Sequence, residues 1–155
     1  MSLKNDLDIA LTELSESSNL PKILLSESGW CRLSIPIPAS IMDSKDGELS
    51  LEIQLSPTGS FFSLSTPIAI IPASPDPAFL EALFHRQLYA NQVCGASFAL
   101  VPQNENNILV VIYHWVLDSI TAKQFKQLYQ RFLVAVFTLS QEVSSMIEAY
   151  PKHNE

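Results

Sequence analysis

The sequence predicts an α+β fold whose elements run α-β-β-β-α-β-β-α, an antiparallel twisted sheet packed against helices. Three observations carry this expectation. Apolar residues alternate at period two in five stretches, and recur at helical spacing in three others. The strands come in groups of three and two, each joined by turn residues, so hairpins are expected rather than parallel crossovers.

The first helix is read over Asn5–Ser15. Leu3, Leu7, Ala10, Leu11 and Leu14 share one face, while Asp6, Asp8 and Glu13 line the other, where early acids suit the helix dipole. Ser15–Pro21 stops it. Cys31, Leu33, Ile35 and Ile37 then alternate with Arg32, Ser34 and Pro36, and Pro36 and Pro38 suit a strand at an edge. Asp43–Gly47 reads as a hairpin turn before Glu48–Leu55, which alternates without a fault and so has one wet face. After the turn Ser56-Pro-Thr-Gly59, a third strand places Phe62, Leu64, Thr66, Ile68 and Ile70 at period two, with Pro67 marking a bulge or an early end. These three strands make a meander.

Pro72–Pro77 breaks the sheet, and Asp76 followed by Pro77 is an N-cap with proline at N1. The helix that follows is expected to bury Phe79, Leu80, Leu83, Phe84 and Leu88, to turn Glu81, His85 and Arg86 outward, and to end near Asn91 or Gln92. Ala96, Phe98 and Leu100 share a strand face, and Pro102–Asn107 is the next turn. Ile108–Leu117 is apolar on both faces except at His114, the pattern of a strand covered on two sides. Helices can supply one cover; a partner chain is a natural second. Thr121-Ala-Lys-Gln124 is a capping box, opening a helix with Phe125, Leu128, Phe132, Val136, Leu139, Val143 and Ile147 on a stripe widened by Leu133 and Phe137.

At 155 residues and 47% apolar composition the chain is expected to form one domain over residues 1–155, with 151–155 a frayed tail. Sixteen acidic and nine scattered basic residues give a net charge of −7, which argues against nucleic acid and against anionic membranes as partners. Leu3–Leu14 is too acidic for a signal peptide, so a cytoplasmic protein is expected. Cys31 and Cys94 are then reduced thiols rather than a disulfide.

Catalytic constellations are scarce. His85, His114 and His153 lack metal-ligand spacing with either cysteine, and the four glycines are isolated, so neither a metal nor a phosphate-binding cofactor is expected. His114 with Asp118, at the end of a strand, is the one pair that an enzyme would have to use. For His114 a core or interface role, and for Asp118 a place at the start of the next helix, are the simpler readings. The expected protein is not an enzyme.

Leu88-Tyr-Ala-Asn91, then Gly95-Ala-Ser-Phe98-Ala-Leu100, then Asn107-Ile-Leu-Val-Val111, then Leu117-Asp-Ser-Ile-Thr121 with Phe125, Leu128 and Phe132 form a run of helix end, small-residue strand, apolar strand and helix. In these residues, over the last third of the chain, and elsewhere in element order, the sequence resembles the Tir-chaperone-like superfamily of class I type III secretion chaperones and its YbjN-like relatives. It departs from them in the proline-rich first strand and in the very apolar last helix. The resemblance implies a homodimer that binds a non-globular segment of a secreted protein. The expectation is therefore a non-catalytic dimeric protein-binding module, chaperone-like, that holds an extended segment of a client. The alternative is a YbjN-like regulatory adaptor that binds a folded partner. Candidate client-binding positions are Leu33, Ile35, Leu51 and Ile53 beside Leu7 and Leu11, with core packing as the competing role for all six. Candidate dimer-interface positions are Val110, Ile112 and Val116 with Leu80 and Phe84.

Overall fold

A computed structural model describes residues 2–36 and 48–149. The elements are α1 (Leu3–Ser17), β1 (Trp30–Pro36), β2 (Glu48–Leu55), β3 (Phe61–Pro72), α2 (Pro77–Cys94), β4 (Ser97–Gln103), β5 (Asn106–Val116) and α3 (Ala122–Ala149). This is the α+β order expected. The turn at Asp43–Gly47, Ile37, Pro38, the tail at 151–155 with His153, and the side chain of Cys94 lie outside the described residues.

All strand pairs are antiparallel, in the order β1-β2-β3-β5-β4. Registers such as Ile53↔Leu64↔Tyr113 and Leu55↔Phe62↔Trp115 put the large apolar residues of β1, β2, β3 and β5 on one face. α3 crosses that face. The Phe125 ring lies 6.2 Å from Phe62, and the Phe132 ring lies 6.4 Å from Tyr113, which stacks on Trp115 at 4.2 Å. α1 lies beside α3 and packs Leu3, Leu7, Leu11 and Leu14 into the same core. α2 adds a smaller cluster in which Phe79 and Leu83 meet Ile71, Leu109 and Val143. Helices thus form one layer on one face of the sheet, with α2 reaching round its β4 edge. There the Gln87 side-chain carbonyl accepts a hydrogen bond from Phe98 N–H, one of the edge groups that would otherwise invite another strand.

Short-range signals explain the element boundaries. Thr121 Oγ1 accepts from Gln124 N–H at 3.1 Å and Gln124 Oε1 accepts from Thr121 N–H at 3.0 Å, closing the capping box. Asp76 Oδ1 caps α2 through Ala78 N–H at 2.7 Å. Thr121→Ala is expected to lower stability by about 1 kcal/mol, seen as a shifted urea midpoint at unchanged slope. The turn between β4 and β5 is tighter than expected, since Gln103 pairs with Asn106 and Asn104 adopts φ 54°. Both strands therefore run further into the Pro102–Asn107 segment.

The acids of α1 do more than face water. Asp6 Oδ2 accepts from Ile120 N–H at 3.1 Å, tying α1 to the loop before α3. Asp8 accepts from Leu25 N–H at 2.9 Å and pairs with Lys4 at 3.0 Å, holding the loop that leads into β1. Both contacts join distant segments, which helical periodicity alone does not reveal.

The bulge on β3 changes which residues face the core. Pairing runs to Pro67↔Val110 and resumes at Ala69↔Leu109, so one residue is skipped. Ile71 is thereby buried and Ile70 is turned outward, 70% exposed, whereas unbroken alternation would have put Ile70 with Phe62 and Leu64.

Candidate functional site

The six candidate client-binding residues occupy the core. Leu7, Leu11, Leu51 and Ile53 are fully buried, and Leu33 and Ile35 nearly so. They form the contact between α1 and the inner face of β1 and β2. In the single chain that surface is not open: the apolar face of α1 and those of β1 and β2 cover each other.

The five candidate dimer residues fall on two exposed apolar surfaces. Val110, Ile112 and Val116 point from β5 to the face of the sheet opposite the helices. Val110 and Ile112 are partly covered by their neighbours and Val116 is 81% exposed. Cross-strand pairing adds Ile70 beside Ile108, and Val101 beside Ile108 on the other side. Among the described residues no helix lies on this face. Its composition is unusual for a chain of net charge −7: the outward positions of β3, β5 and β4 include no Asp, Glu, Lys or Arg. Charge returns only on the far strands, where Arg32 of β1 meets Glu52 of β2 at 2.6 Å and lies over the Trp30 ring.

Leu80 and Phe84 belong to the second surface, on α2. With Pro77 and Leu88 they line a shallow groove of about 430 Å³, flanked by Glu81 and His85. Phe84 is 73% exposed, and Leu88 is exposed as well. The expectation that Phe84 and Leu88 pack inward is corrected, because the contact made by α2 is narrow. Phe79 and Leu83 fill it, and Arg86, expected to face solvent, instead pairs with Glu142 of α3 through two half-buried hydrogen bonds. One turn further round the helix, the second apolar stripe has no element left to cover it.

Leu88, Ile70, Ile108 and Val101 extend these surfaces, although sequence periodicity assigns Leu88 and Ile70 to the core. For Ile108 and Val101 the strand alternation was a usable signal. For Ile70 it was misleading, since the bulge reverses it.

His114 is exposed on the charge-free face rather than in the core, with its ring 6.4 Å from Phe61 in an edge-on arrangement. Asp118 is exposed in the loop before α3, whose cap is Thr121. Cys31 is buried at the end of β1. Desolvation, with the Asp8 carboxylate adding repulsion, pushes its thiol up to about 12, so it stays protonated and unreactive at physiological pH. Burial also raises the Tyr129 phenol. Among the described residues no three of His, Cys, Asp and Glu are grouped so as to hold a metal ion. α3 has the length and composition of a membrane span, but one side of it forms the core against the sheet.

No family model matches the sequence, and no curated protein matches it. Solved structures do match, in 13 chains. A chain of the ExsC–ExsE complex superposes with a TM-score of 0.67 at 13% identity, over 91% of this chain and 96% of that one. A chain of the HopA1–SchA chaperone–effector complex gives 0.61 at 11% identity, over 90% and 93%. A chain of the heterodimeric ExoU–SpcU complex, from the type III secretion system of Pseudomonas aeruginosa, gives 0.53 at 11% identity, over 90% and 96%. At such identities the likeness is one of fold: this chain shares the α+β fold of those chains, in the order α-β-β-β-α-β-β-α.

Proposed function

We propose that the protein is a non-catalytic, chaperone-like binding module that acts as a homodimer and holds an extended segment of a client protein. The observation that carries this reading is the bare outer face of β3, β5 and β4, apolar and free of formal charge on an otherwise acidic protein. Water-exposed apolar surface of this kind is the usual mark of a protein contact. Two copies that each carry a charge of −7 repel one another, so a stable contact between them needs a surface that brings no further charge together. The sheet face meets that condition. Val110, Ile112 and Val116 form the centre of the proposed contact, and Leu80 and Phe84 of α2 supply further apolar surface. The fold shared with the chain of a chaperone–effector complex supports a polypeptide as the client, and the cytoplasm as the place of action accords with the acidic composition.

The test is co-purification from cells that express the protein at its natural level, followed by limited proteolysis of whatever is retained. The expected partner is held through a segment that proteases cut readily when it is alone and spare in the complex. Retention of a partner through a part that is folded and protease-resistant by itself would replace the chaperone reading with that of a regulatory adaptor.

A further inference from the structure

Within the outward positions of β3, β5 and β4 there is one titratable side chain, His114. Along β5 its same-face neighbours are Ile112 and Val116. Across the sheet it pairs with Ser63 of β3, and Phe61 presents its ring from the same strand. β4 begins at Ser97, which pairs with Ile112, so no β4 residue lies opposite His114. Among the described side chains, the charged groups that share this face are Glu52 and Arg32, on β2 and β1, and they are engaged with each other. Among the described residues no carboxylate is ion-paired with His114; Asp118, exposed in the loop after β5, is the nearest acid along the chain. His85, on the α2 groove, differs in this respect because Glu81 lies 3.9 Å from its Nε2.

We propose that His114 makes self-association through the sheet face dependent on pH, with the dimer requiring the neutral ring. The proposal rests on the homodimer reading above. Covering the face with a second copy removes water from His114, and an imidazolium enclosed by Ile112, Val116 and Phe61 has neither solvent nor counter-charge. The sign follows from linkage. The dimer favours the unprotonated ring, so association is strongest above the range in which histidines gain charge and is lost as the pH falls through it. A twofold contact brings one His114 from each copy. Both rings must be neutral for the contact to close, so the effect of acidification enters the association constant twice.

The experiment is sedimentation equilibrium of the full chain at about pH 8 and about pH 5.5. It compares the wild type with His114→Gln and His114→Phe, and circular dichroism confirms that each is folded. The expected result is a dimer dissociation constant that rises by at least about tenfold at the lower pH in the wild type and at most a few-fold in either variant. Equal wild-type constants at the two pH values would overturn the proposal while leaving the dimer intact. Variants that keep the wild-type pH dependence would also overturn it, since another group would then be responsible. A wild type that is monomeric at both pH values would overturn the homodimer reading itself, and this inference with it.

Discussion

Val110→Asp is expected to yield a folded monomer. Val110 faces away from the helices, next to Pro67 of β3 and Ala99 of β4, and is only partly covered within the chain. A carboxylate there keeps its water in the single chain, so folding loses little beyond the strand preference of valine, about 1 kcal/mol. In the proposed dimer the same carboxylate is desolvated with no cation on the face to receive it, at a cost of several kcal/mol. The twofold contact incurs that cost twice. At 1.4 kcal/mol per tenfold, association should weaken by more than about a thousandfold. Sedimentation alongside far-ultraviolet circular dichroism checks both halves. An unaltered dimer would remove the sheet face as its interface; an unfolded chain would show that the face is buried within the fold.

Leu51→Asp is expected to have the opposite outcome, unfolding the protein. Leu51 lies between Leu33 on β1 and the core under α1, with no exposed surface. Removing the leucine costs about 2–5 kcal/mol, and the buried carboxylate adds several more. Together these approach the roughly 5–15 kcal/mol of total stability typical of a domain. Thermal denaturation followed by circular dichroism would show no cooperative transition. A variant that folds normally but fails to hold a client would return Leu51 to the binding surface and contradict its place in the core. The two aspartates therefore report on the two faces of one sheet.

Much of the architecture follows from local chemistry. The caps at Asp76 and Thr121 act within three residues of their partners, and the fault-free alternation of Glu48–Leu55 requires only that one face be dry. Such signals are readable in the sequence because both partners lie within one turn or one strand. The apolar outer positions of β5 were readable for the same reason, and they led directly to the candidate dimer surface. The client-binding positions were not. The apolar faces of α1, β1 and β2 look alike in sequence whether they meet each other or a guest; in the single chain they meet each other.

The number, kind and order of the elements, and the apolar residues on both sides of β5, are legible in the residue order alone. Long-range packing sets which side of β5 the helices cover, turns Ile70 outward through the bulge after Pro67, and has α2 use Phe79 and Leu83 while leaving Phe84 and Leu88 bare. The physical reason is one of range. Periodicity records that a side chain prefers to leave water, whereas which neighbour takes it out of water depends on segments far along the chain, such as Asp6 reaching Ile120.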